Sequence, residues 1–351
     1  MTFVYPTLLV AAALGFNFLV NWAKNKKLKI AFTVLPVILL FDPLIFTIKN
    51  HPYEAVYFNR FVGGVKGAYG NYDLDVLDNS KREAAEWILA DVAKNGAPDP
   101  TRKTLVATWH QSDYYFRKDT ANFALNYVRW NKLNTADWDY AFYSIAGVHH
   151  LGLLKEAYPP KNTVHQVMVD GVPIGLVLKR EDRSSYYGHI AFQQGNFDEA
   201  RAQLVKALEY DAFDEQALYD LIQIGLAIGK PADIDLAMDL TNYWLDFHKN
   251  DISALCCLGM LYCSKGDLAN AMSVGNTVRK IYPHSVEGLL LVAIVYAQQN
   301  DLNTAWHLLN KVIMMDGNNK LALEVMLNVA YRMGNEEAKQ MVRERLNALS
   351  K

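Results

Sequence analysis

Hydrophobic residues are distributed along this 351-residue chain in two different ways. Near the N-terminus they form two long runs: Thr2 to Ala23 contains no charged residue, and Ile30 to Ile48 contains only Asp42. Beyond Ser185 they recur at i, i+3 and i+4, which is the period of one face of an α-helix. Between these regions, short apolar stretches alternate with turn residues. The pattern predicts an apolar N-terminal segment, a mixed middle domain and a helical C-terminal half.

The helical half contains one unit that recurs. Each copy has a small residue in a first helix, then a turn, then an alanine twelve positions after the small residue. Two short helices cannot bury their apolar faces alone, so such units stack into a solenoid with a continuous core. We expect the two helices to be closest at these small residues, because larger side chains would separate them. The small residues, each with its alanine, are Gly188 with Ala200, Gly225 with Ala237, Gly259 with Ala271, and Ala293 with Ala305.

These residues resemble the tetratricopeptide repeat (TPR) family. The second unit departs from the family pattern, with a three-residue insertion around Pro231 and with Trp244 where alanine is usual. In the fourth unit, Tyr296 stands three residues after Ala293, as Tyr262 stands three residues after Gly259 in the third. A fifth, less regular unit contains Gly334 and Ala338. The resemblance implies a TPR α-solenoid of four to five helical hairpins over residues 184–351, with a protein or peptide bound in its concave groove. The third unit matches best, through Leu258, Gly259, Tyr262, Gly266, Ala271 and Pro283.

The two N-terminal runs predict a transmembrane helical hairpin over residues 1–50. Each approaches the ~20 apolar residues that a helix needs to cross a bilayer. Four lysines between Lys24 and Lys29 separate the runs, so the positive-inside rule places this loop in the cytoplasm and both chain termini outside it. The first residues have neither the basic start nor the cleavage site of a signal peptide.

Asp42 is a carboxylate within the second predicted span, and two interpretations of it are open. An ionisable residue inside a membrane is a candidate for function. Alternatively, the side chain reaches the outer interface or binds backbone groups that Pro43 leaves without partners. Pro6 and Pro36 could mark kinks that pack against further transmembrane helices.

Residues 51–183 predict a small extracytoplasmic α/β domain. Ser80-x-x-Glu83 has the form of a capping box that opens an amphipathic helix ending near Val92. Asp170-Gly171 between two β-rich runs predicts a hairpin with a type I′ turn. The other predicted elements are strands over Thr104 to Thr108, Asp137 to Ser144, Thr163 to Val169 and Val172 to Lys179, partly helical structure over 113–131, and a helix over His150 to Tyr158.

Residues 3–180 also resemble the C-terminal end of bacterial family 39 membrane glycosyltransferases, the protein-mannosyltransferase-like kind. Val76-Leu77 replaces an aromatic pair of the family, and the family's catalytic acidic residues lie in an N-terminal part that has no counterpart here. The resemblance therefore implies no catalytic residue in this chain. The motif that carries it comprises His51, Pro52, Tyr57, Asn59, Gly63, Gly64, Gly67, Gly70, Asp75 and Trp87, with Tyr5, Pro6, Tyr53, Phe58, Ala68, Tyr72, Leu74, Glu83, Ala84 and Ala85 also at matching positions.

Composition and local motifs argue against several other functions. With 35 basic and 37 acidic residues the chain has a net charge of −2, which does not favour nucleic acid as a partner. The glycines of the motif lack the Gly-Lys-Ser/Thr of a phosphate loop. His149-His150 has no further metal ligand at suitable spacing, so we expect no metal site. Trp109 to Asp113 contains Ser, His and Asp, but triad residues come from separated segments.

Cys256, Cys257 and Cys263 fall in one predicted helix. Positions two turns apart on a rigid helix are ~10 Å apart, too far for a disulfide. We expect them to be small packing residues.

The sequence as a whole predicts a non-enzymatic TPR scaffold without a cofactor, anchored in the bacterial inner membrane with both termini on the periplasmic side. Its expected partners are a protein or peptide in the TPR groove, the membrane and, as further candidates, other transmembrane subunits. The alternative is the C-terminal part, or an accessory subunit, of a glycosyltransferase that uses a lipid-linked sugar.

Overall fold

The computed structural model of the protein describes residues 4–148, 153 and 158–349. The chain divides into two compact units. The first contains Met1–Trp130 and Trp138–Lys179, and the second contains Asn131–Asp137 together with Arg180–Lys351. The second unit is therefore assembled from two separate parts of the chain.

Two apolar helices, α1 (Val4–Trp22) and α2 (Lys26–Asn50), begin the first unit. The side chain of Asn25 accepts a hydrogen bond from the Lys27 N–H at 2.9 Å and caps the start of α2. Within the described residues, α2 is the one helix long and apolar enough to cross a membrane, with a mean hydropathy of 2.2. The apolar stretch counted for α1, Val10–Trp22, is shorter. The structure thus supports one of the two predicted spans, and the other stays a prediction.

Further helices lie between α2 and the sheet and between the strands of the sheet. They are 3-10 turns at Glu54–Val56 and Arg60–Val62, then α3 (Gly64–Ala68), α4 (Lys81–Asn95) and α5 (Asp113–Phe116), with further 3-10 turns at Trp130–Thr135 and Ile145–Gly147.

The predicted capping box of Ser80 and Glu83 does not form. The Ser80 hydroxyl and backbone N–H both donate to the buried carboxylate of Asp75, at 2.5 and 3.0 Å. Glu83 accepts a hydrogen bond from the Tyr53 hydroxyl instead of bonding back to the helix start. A carboxylate from the preceding loop therefore holds the start of α4, because it satisfies more donors there than a serine hydroxyl could.

Five strands form one sheet: β1 (Thr104–Thr108), β2 (Phe123–Tyr127), β3 (Tyr140–Ser144), β4 (Thr163–Val169) and β5 (Val172–Lys179). Their order is β2-β1-β3-β5-β4. β1 is parallel to β2 and β3, whereas β5 is antiparallel to β3 and β4. α4 packs on β3, β4 and β5 and buries Ala85 and Ile88 against them. The mixed sheet and its covering helix form the core of the first unit.

Sequence patterning located most of this sheet. The strands at Thr104–Thr108 and in the β4–β5 hairpin are confirmed, and Asp170 and Gly171 both have the positive φ that a type I′ turn requires. The strand predicted from Asp137 begins only at Tyr140. β2 was missed, because its five residues lie within the aromatic segment 113–131, where the apolar pattern did not distinguish strand from helix. The helix predicted over His150 to Tyr158 lies largely outside the described residues.

Ten helices make up most of the second unit and pair in sequence order. They are α6 (Ser184–Gln193), α7 (Phe197–Tyr210), α8 (Glu215–Ile228), α9 (Pro231–Phe247), α10 (Ile252–Ser264), α11 (Leu268–Ile281), α12 (Val286–Gln298), α13 (Leu302–Met315), α14 (Lys320–Met333) and α15 (Glu336–Leu349). Asp214, Asp251, Asp267, Asp301 and Asn319 cap the helices that follow them by accepting backbone N–H bonds.

The helix pairs approach closely at small residues, as predicted, although the contacting partner differs between repeats. Ala200, Ala237, Ala271 and Ala305 are fully buried. A Cβ added to Gly225 would lie 2.5 Å from the Ala237 Cβ, which is the predicted contact.

Two glycines meet other residues than their alanines. A Cβ at Gly188 would lie 2.7 Å from Leu204 of the same pair, and one at Gly259 would lie 2.3 Å from Leu291 in the next repeat. Gly188 thus leaves room for a leucine of its own helix pair, whereas Gly259 leaves room for a leucine of the next repeat.

Ala271→Leu should destabilise the protein by about 1–3 kcal/mol, because the larger side chain overpacks a site that has no free volume. Denaturant unfolding of the full chain, followed by circular dichroism, measures the change. Ala269→Leu, an exposed position on the same helix α11, is the matched control and should change stability little. Equal stability of both variants would contradict the packing described here.

Candidate functional site

The first helices of the hairpins, α6, α8, α10, α12 and α14, form one continuous surface. Each first helix contacts the first helix of the next repeat, and each second helix contacts the first helix that follows it. A row of helices packed side by side in this way lines the inner, concave side of a solenoid. We call the exposed and half-buried side of this row the inner face.

The inner face of the third to fifth repeats follows from the 34-residue spacing. Residues that occupy equivalent positions in α10, α12 and α14 differ by 34 in number, and those that face away from the paired second helix form a single stripe. The stripe consists of Ser253, Cys256 and Met260 on α10, Glu287, Leu290 and Ile294 on α12, and Leu321, Glu324 and Asn328 on α14.

The chemistry of this stripe is apolar in its middle and acidic beside it. Leu290 and Ile294 are only 6% and 8% exposed and belong to the apolar core of these repeats, and half-buried Met260 packs against that core. We call these three residues the apolar floor beneath the exposed positions of the stripe. Glu287 and Glu324 are exposed. Such a surface can take apolar side chains of a partner segment and attract basic groups next to them.

The segment Asn131–Asp137, a part of the second unit, lies against the start of α8. Asn134 donates a hydrogen bond to Asp214 at 2.8 Å. The ammonium of Lys132 lies 3.3 Å from the Gln216 amide oxygen and 5.3 Å from the centre of the Tyr219 ring. The start of α8 is therefore occupied by the chain itself, and the stripe on α10, α12 and α14 is the candidate surface for a partner.

A buried polar cluster lies beneath this segment. His189 on α6 is 2.7 Å from the carboxylate of Asp220 on α8, and Gln216 donates to the other oxygen of that carboxylate at 2.8 Å. Burial raises the pKa of Asp220, while the hydrogen bonds from His189 and Gln216 act in the opposite direction. The cluster joins the first two repeats through polar contacts, in contrast to the apolar stripe further along.

The carboxyl groups at the start of α8 are also perturbed. Burial raises the pKa of Asp214 to about 6 and that of Glu215 to about 7, and their mutual repulsion adds to the shift of Glu215. His248 Nε2 lies 3.8 Å from Glu215.

In the first unit, Asp42 has partners from the segment that follows its helix. Arg60 Nε donates to Asp42 at 2.6 Å and the Tyr57 hydroxyl donates at 3.1 Å. The Tyr57 ring also contacts Phe46 of α2 edge-on, with centroids 5.3 Å apart. The sequence left open whether Asp42 reaches the interface or carries a function; the structure shows a carboxylate that attaches the 57–60 segment to the last turns of α2.

The residues of the glycosyltransferase-like motif shape the backbone after α2. His51 Nδ1 bonds to Glu54, and the His51–Pro52 peptide bond is cis. Asn59 accepts hydrogen bonds from the N–H groups of Phe61 and Val62 and so caps a 3-10 turn.

The motif glycines permit a compact turn. Gly63, Gly64 and Gly70 have positive φ angles, and a Cβ at Gly67 would lie 1.8 Å from the Val62 carbonyl oxygen, which only glycine avoids. Asp75 receives the Ser80 bonds described above.

Trp87 of α4 stacks on His165 of β4, with ring centroids 5.4 Å apart. Every motif residue with side-chain contacts thus has a structural role within the first unit.

Within the described residues, the side chains of Trp109 to Asp113 are not arranged as a catalytic triad. The Ser112 hydroxyl donates to the His110 carbonyl oxygen rather than to an imidazole, while His110 Nδ1 lies 2.9 Å from Asp78. Lys81, which the sequence did not single out, is buried and shares the same Asp78 carboxylate at 2.9 Å. No group of metal-ligating residues occurs within the described ranges, and His149-His150 lies outside them.

The three cysteines lie on α10 with free thiols. Burial raises the pKa of Cys256 to about 12 and that of Cys263 to about 11, so both are poor nucleophiles at neutral pH.

Stacked hairpins with buried small residues at their contacts define a TPR-like helical solenoid. No protein-family model and no curated protein sequence matches the chain. Among solved structures, a TPR protein from Parabacteroides merdae has 19% identity and a TM-score of 0.42, covering 48% of this chain and 65% of that one. A thermophilic TPR protein from Thermus thermophilus has 18% identity and a TM-score of 0.42, covering 46% and 88%. PilW, a type IV pilus biogenesis factor, has 14% identity and a TM-score of 0.39, covering 48% and 76%.

At these values we draw nothing about function from the similarity. The repeat assignment rests on the chain's own helices and their contacts.

Replacing Glu215 should reduce the pH dependence of stability. Its pKa is about 7 in the folded state and about 4.3 in the unfolded chain, so the folded state retains a proton that the unfolded state loses. The contribution of Glu215 to stability is therefore full below about pH 4.3 and is lost as pH rises through about 7. Glu215→Gln should lessen this loss by on the order of 1 kcal/mol, measured by urea unfolding at several pH values. The exposed Glu209→Gln is the control; if both variants keep the full pH dependence, burial of Glu215 is not its cause.

Proposed function

We propose that the protein is a membrane-anchored scaffold that holds a protein or peptide segment against the inner face of its third to fifth repeats. The observation that supports this is the apolar floor of Met260, Leu290 and Ile294 with acidic side chains beside it. The occupant that fits is a segment with apolar anchor residues and a neighbouring basic residue.

The anchor in this proposal is α2. Its length and apolar composition suit a membrane span. Asp42 lies eight residues before its end, and Arg60 pairs with that carboxylate. Phe61, next to Arg60, is 93% exposed. Aromatic and basic residues are typical of the level where a helix leaves the hydrocarbon, so these two would lie at the outer interface.

The same proposal places the repeats on the periplasmic side of a bacterial inner membrane. The support is the run of lysines between α1 and α2, which favours a cytoplasmic loop. The glycosyltransferase alternative is supported by the motif alone. Because the motif residues have structural roles, we do not assign glycosyl transfer to this chain.

A fluorescent reporter that matures only in the cytoplasm should be dark when fused after Lys351. The same reporter fused to a chain truncated at Lys27 should be bright, because that position belongs to the lysine-rich loop. Cell fluorescence normalised to the amount of fusion protein is the measurement. A bright C-terminal fusion would reverse the proposed topology.

Met260→Arg should remove the partner, because it places a charge on the apolar floor of the inner face. Met314→Arg is the matched control: Met314 is 86% exposed and belongs to the second helix α13, away from the inner face. Both variants and the parent are cross-linked in cells of the native host, purified and compared by quantitative mass spectrometry. A protein that is retained by the parent and by Met314→Arg, but lost from Met260→Arg by about tenfold or more, is the expected result. If both variants retain the cross-linked protein, or if both lose it, the partner does not bind at the inner face.

A further inference from the structure

A cleft of about 550 Å³ opens in the first unit at the end of α2. Three segments that are far apart in the sequence line it: the last residues of α2, the glycine turn before α3, and the two-residue turn of the β4–β5 hairpin. Its lining consists of Lys49, Asn50, Gly63, Gly64, Val65, Lys66, Asp170 and Gly171.

Two lysines converge on the hairpin turn. The Lys49 ammonium lies 2.5 Å from the Asp170 carboxylate. Lys66 reaches the turn from the other side, since a Cβ built on Gly171 would lie 3.9 Å from the Lys66 ammonium nitrogen. Lys66 has no hydrogen-bond or ionic partner within the part of the chain that the structure describes. One carboxylate thus faces two ammonium groups, and the lining has one positive charge in excess.

Asn50 adds a polar donor to the same cleft. Its side-chain amide nitrogen is buried and has no hydrogen-bond partner in the described structure. A buried donor without an acceptor has a free-energy cost.

The glycines keep the cleft open and the surrounding segments fixed. Gly63 and Gly64 have positive φ angles and no side chain, so the turn that carries Lys66 adds no bulk to the cleft. The turn is held by the Asn59 cap, and the opposite wall is the tight β4–β5 hairpin. The lysines are therefore presented by constrained backbone rather than by mobile loops.

We propose that this cleft binds a phosphate group, and that its source is the headgroup of an anionic membrane lipid. Two ammonium groups and an amide that line one cleft offer donors to the oxygens of a phosphate, which accepts several charge-assisted hydrogen bonds. Asn50 ends the helix that is long enough to span a membrane, so in the proposed anchoring the cleft lies at the level of the lipid headgroups. The lipid source rests on the proposed membrane anchoring; the phosphate site itself does not.

Asp170 makes the site testable in both directions. Asp170→Asn removes the carboxylate that competes for Lys49, and it keeps the hairpin, because Asn-Gly is a preferred type I′ turn. This variant should bind phosphate more tightly. Lys66→Gln should bind about tenfold more weakly, since it removes one charge-assisted donor. Lys94→Gln, an exposed lysine on α4, removes the same charge elsewhere and should bind like the parent.

The measurement uses the purified full chain in detergent micelles with two probes. Native mass spectrometry counts the molecules of phosphatidylglycerol and phosphatidylcholine that each variant retains from an equal mixture. Isothermal titration with inorganic phosphate measures the site without a lipid. The expected result is preferential retention of phosphatidylglycerol with affinity in the order Asp170→Asn, parent and Lys94→Gln, then Lys66→Gln.

The two probes distinguish a failure of the phosphate site from a failure of the proposed membrane anchoring. If inorganic phosphate binds in that order but phosphatidylglycerol is not preferred, the cleft is a phosphate site and the lipid source is wrong. If neither probe distinguishes Asp170→Asn and Lys66→Gln from the parent, the proposal is overturned, whatever the reporter fusions show about the membrane.

Discussion

Close contact between helices at positions without side-chain volume is the constraint on which the repeat unit depends. Ala200, Ala237, Ala271 and Ala305 are fully buried, and Gly225 leaves no room for a further atom against Ala237. These contacts determine the distance between paired helices, and stacking then fixes which side of each first helix faces inward. The exposed residues on that inner side, such as Glu287 and Glu324, lie outside these contacts. Their chemistry can therefore suit a partner without disturbing the packing that positions them.

The first unit depends more on long-range polar contacts than on a repeated packing rule. Asp75 holds the start of α4, and Asp42 holds the segment after α2 through Arg60 and Tyr57. Asp139 accepts two hydrogen bonds from the Arg102 guanidinium, at 2.7 and 2.8 Å. Each carboxylate thus joins segments that a small sheet could not align by apolar burial alone.

This difference explains what could be predicted from the sequence. The repeats and the β4–β5 hairpin follow local rules, a 34-residue period and a turn dipeptide, and both were found. The cap on α4 was assigned to Ser80 because the capping-box rule considers only neighbouring residues, whereas Asp75 acts from the loop before it. β2 was missed since its five residues, four of them aromatic or apolar, fit either period. The pairing of Asp42 with Arg60, and the cleft between Lys49 and Lys66, depend on tertiary structure that no local pattern encodes.

For the inner face, the sequence identified the groove but not the residues that line it, since the small-residue pattern marks the opposite side of each helix. The contact of Asn131–Asp137 with the start of α8 could not be predicted from any sequence pattern. That segment precedes β3 in the chain and yet belongs to the repeat unit.

Because the second unit consists of two separate parts of the chain, it cannot be transferred to another protein as one continuous piece. Solenoids usually receive a polar terminal cover from an adjoining repeat. Here the segment Asn131–Asp137 of the same unit adds polar contacts at the start of α8, where Asn134 and Lys132 donate to Asp214 and Gln216. A rearrangement that moved only residues 180–351 would therefore leave behind a segment that belongs to the repeat unit.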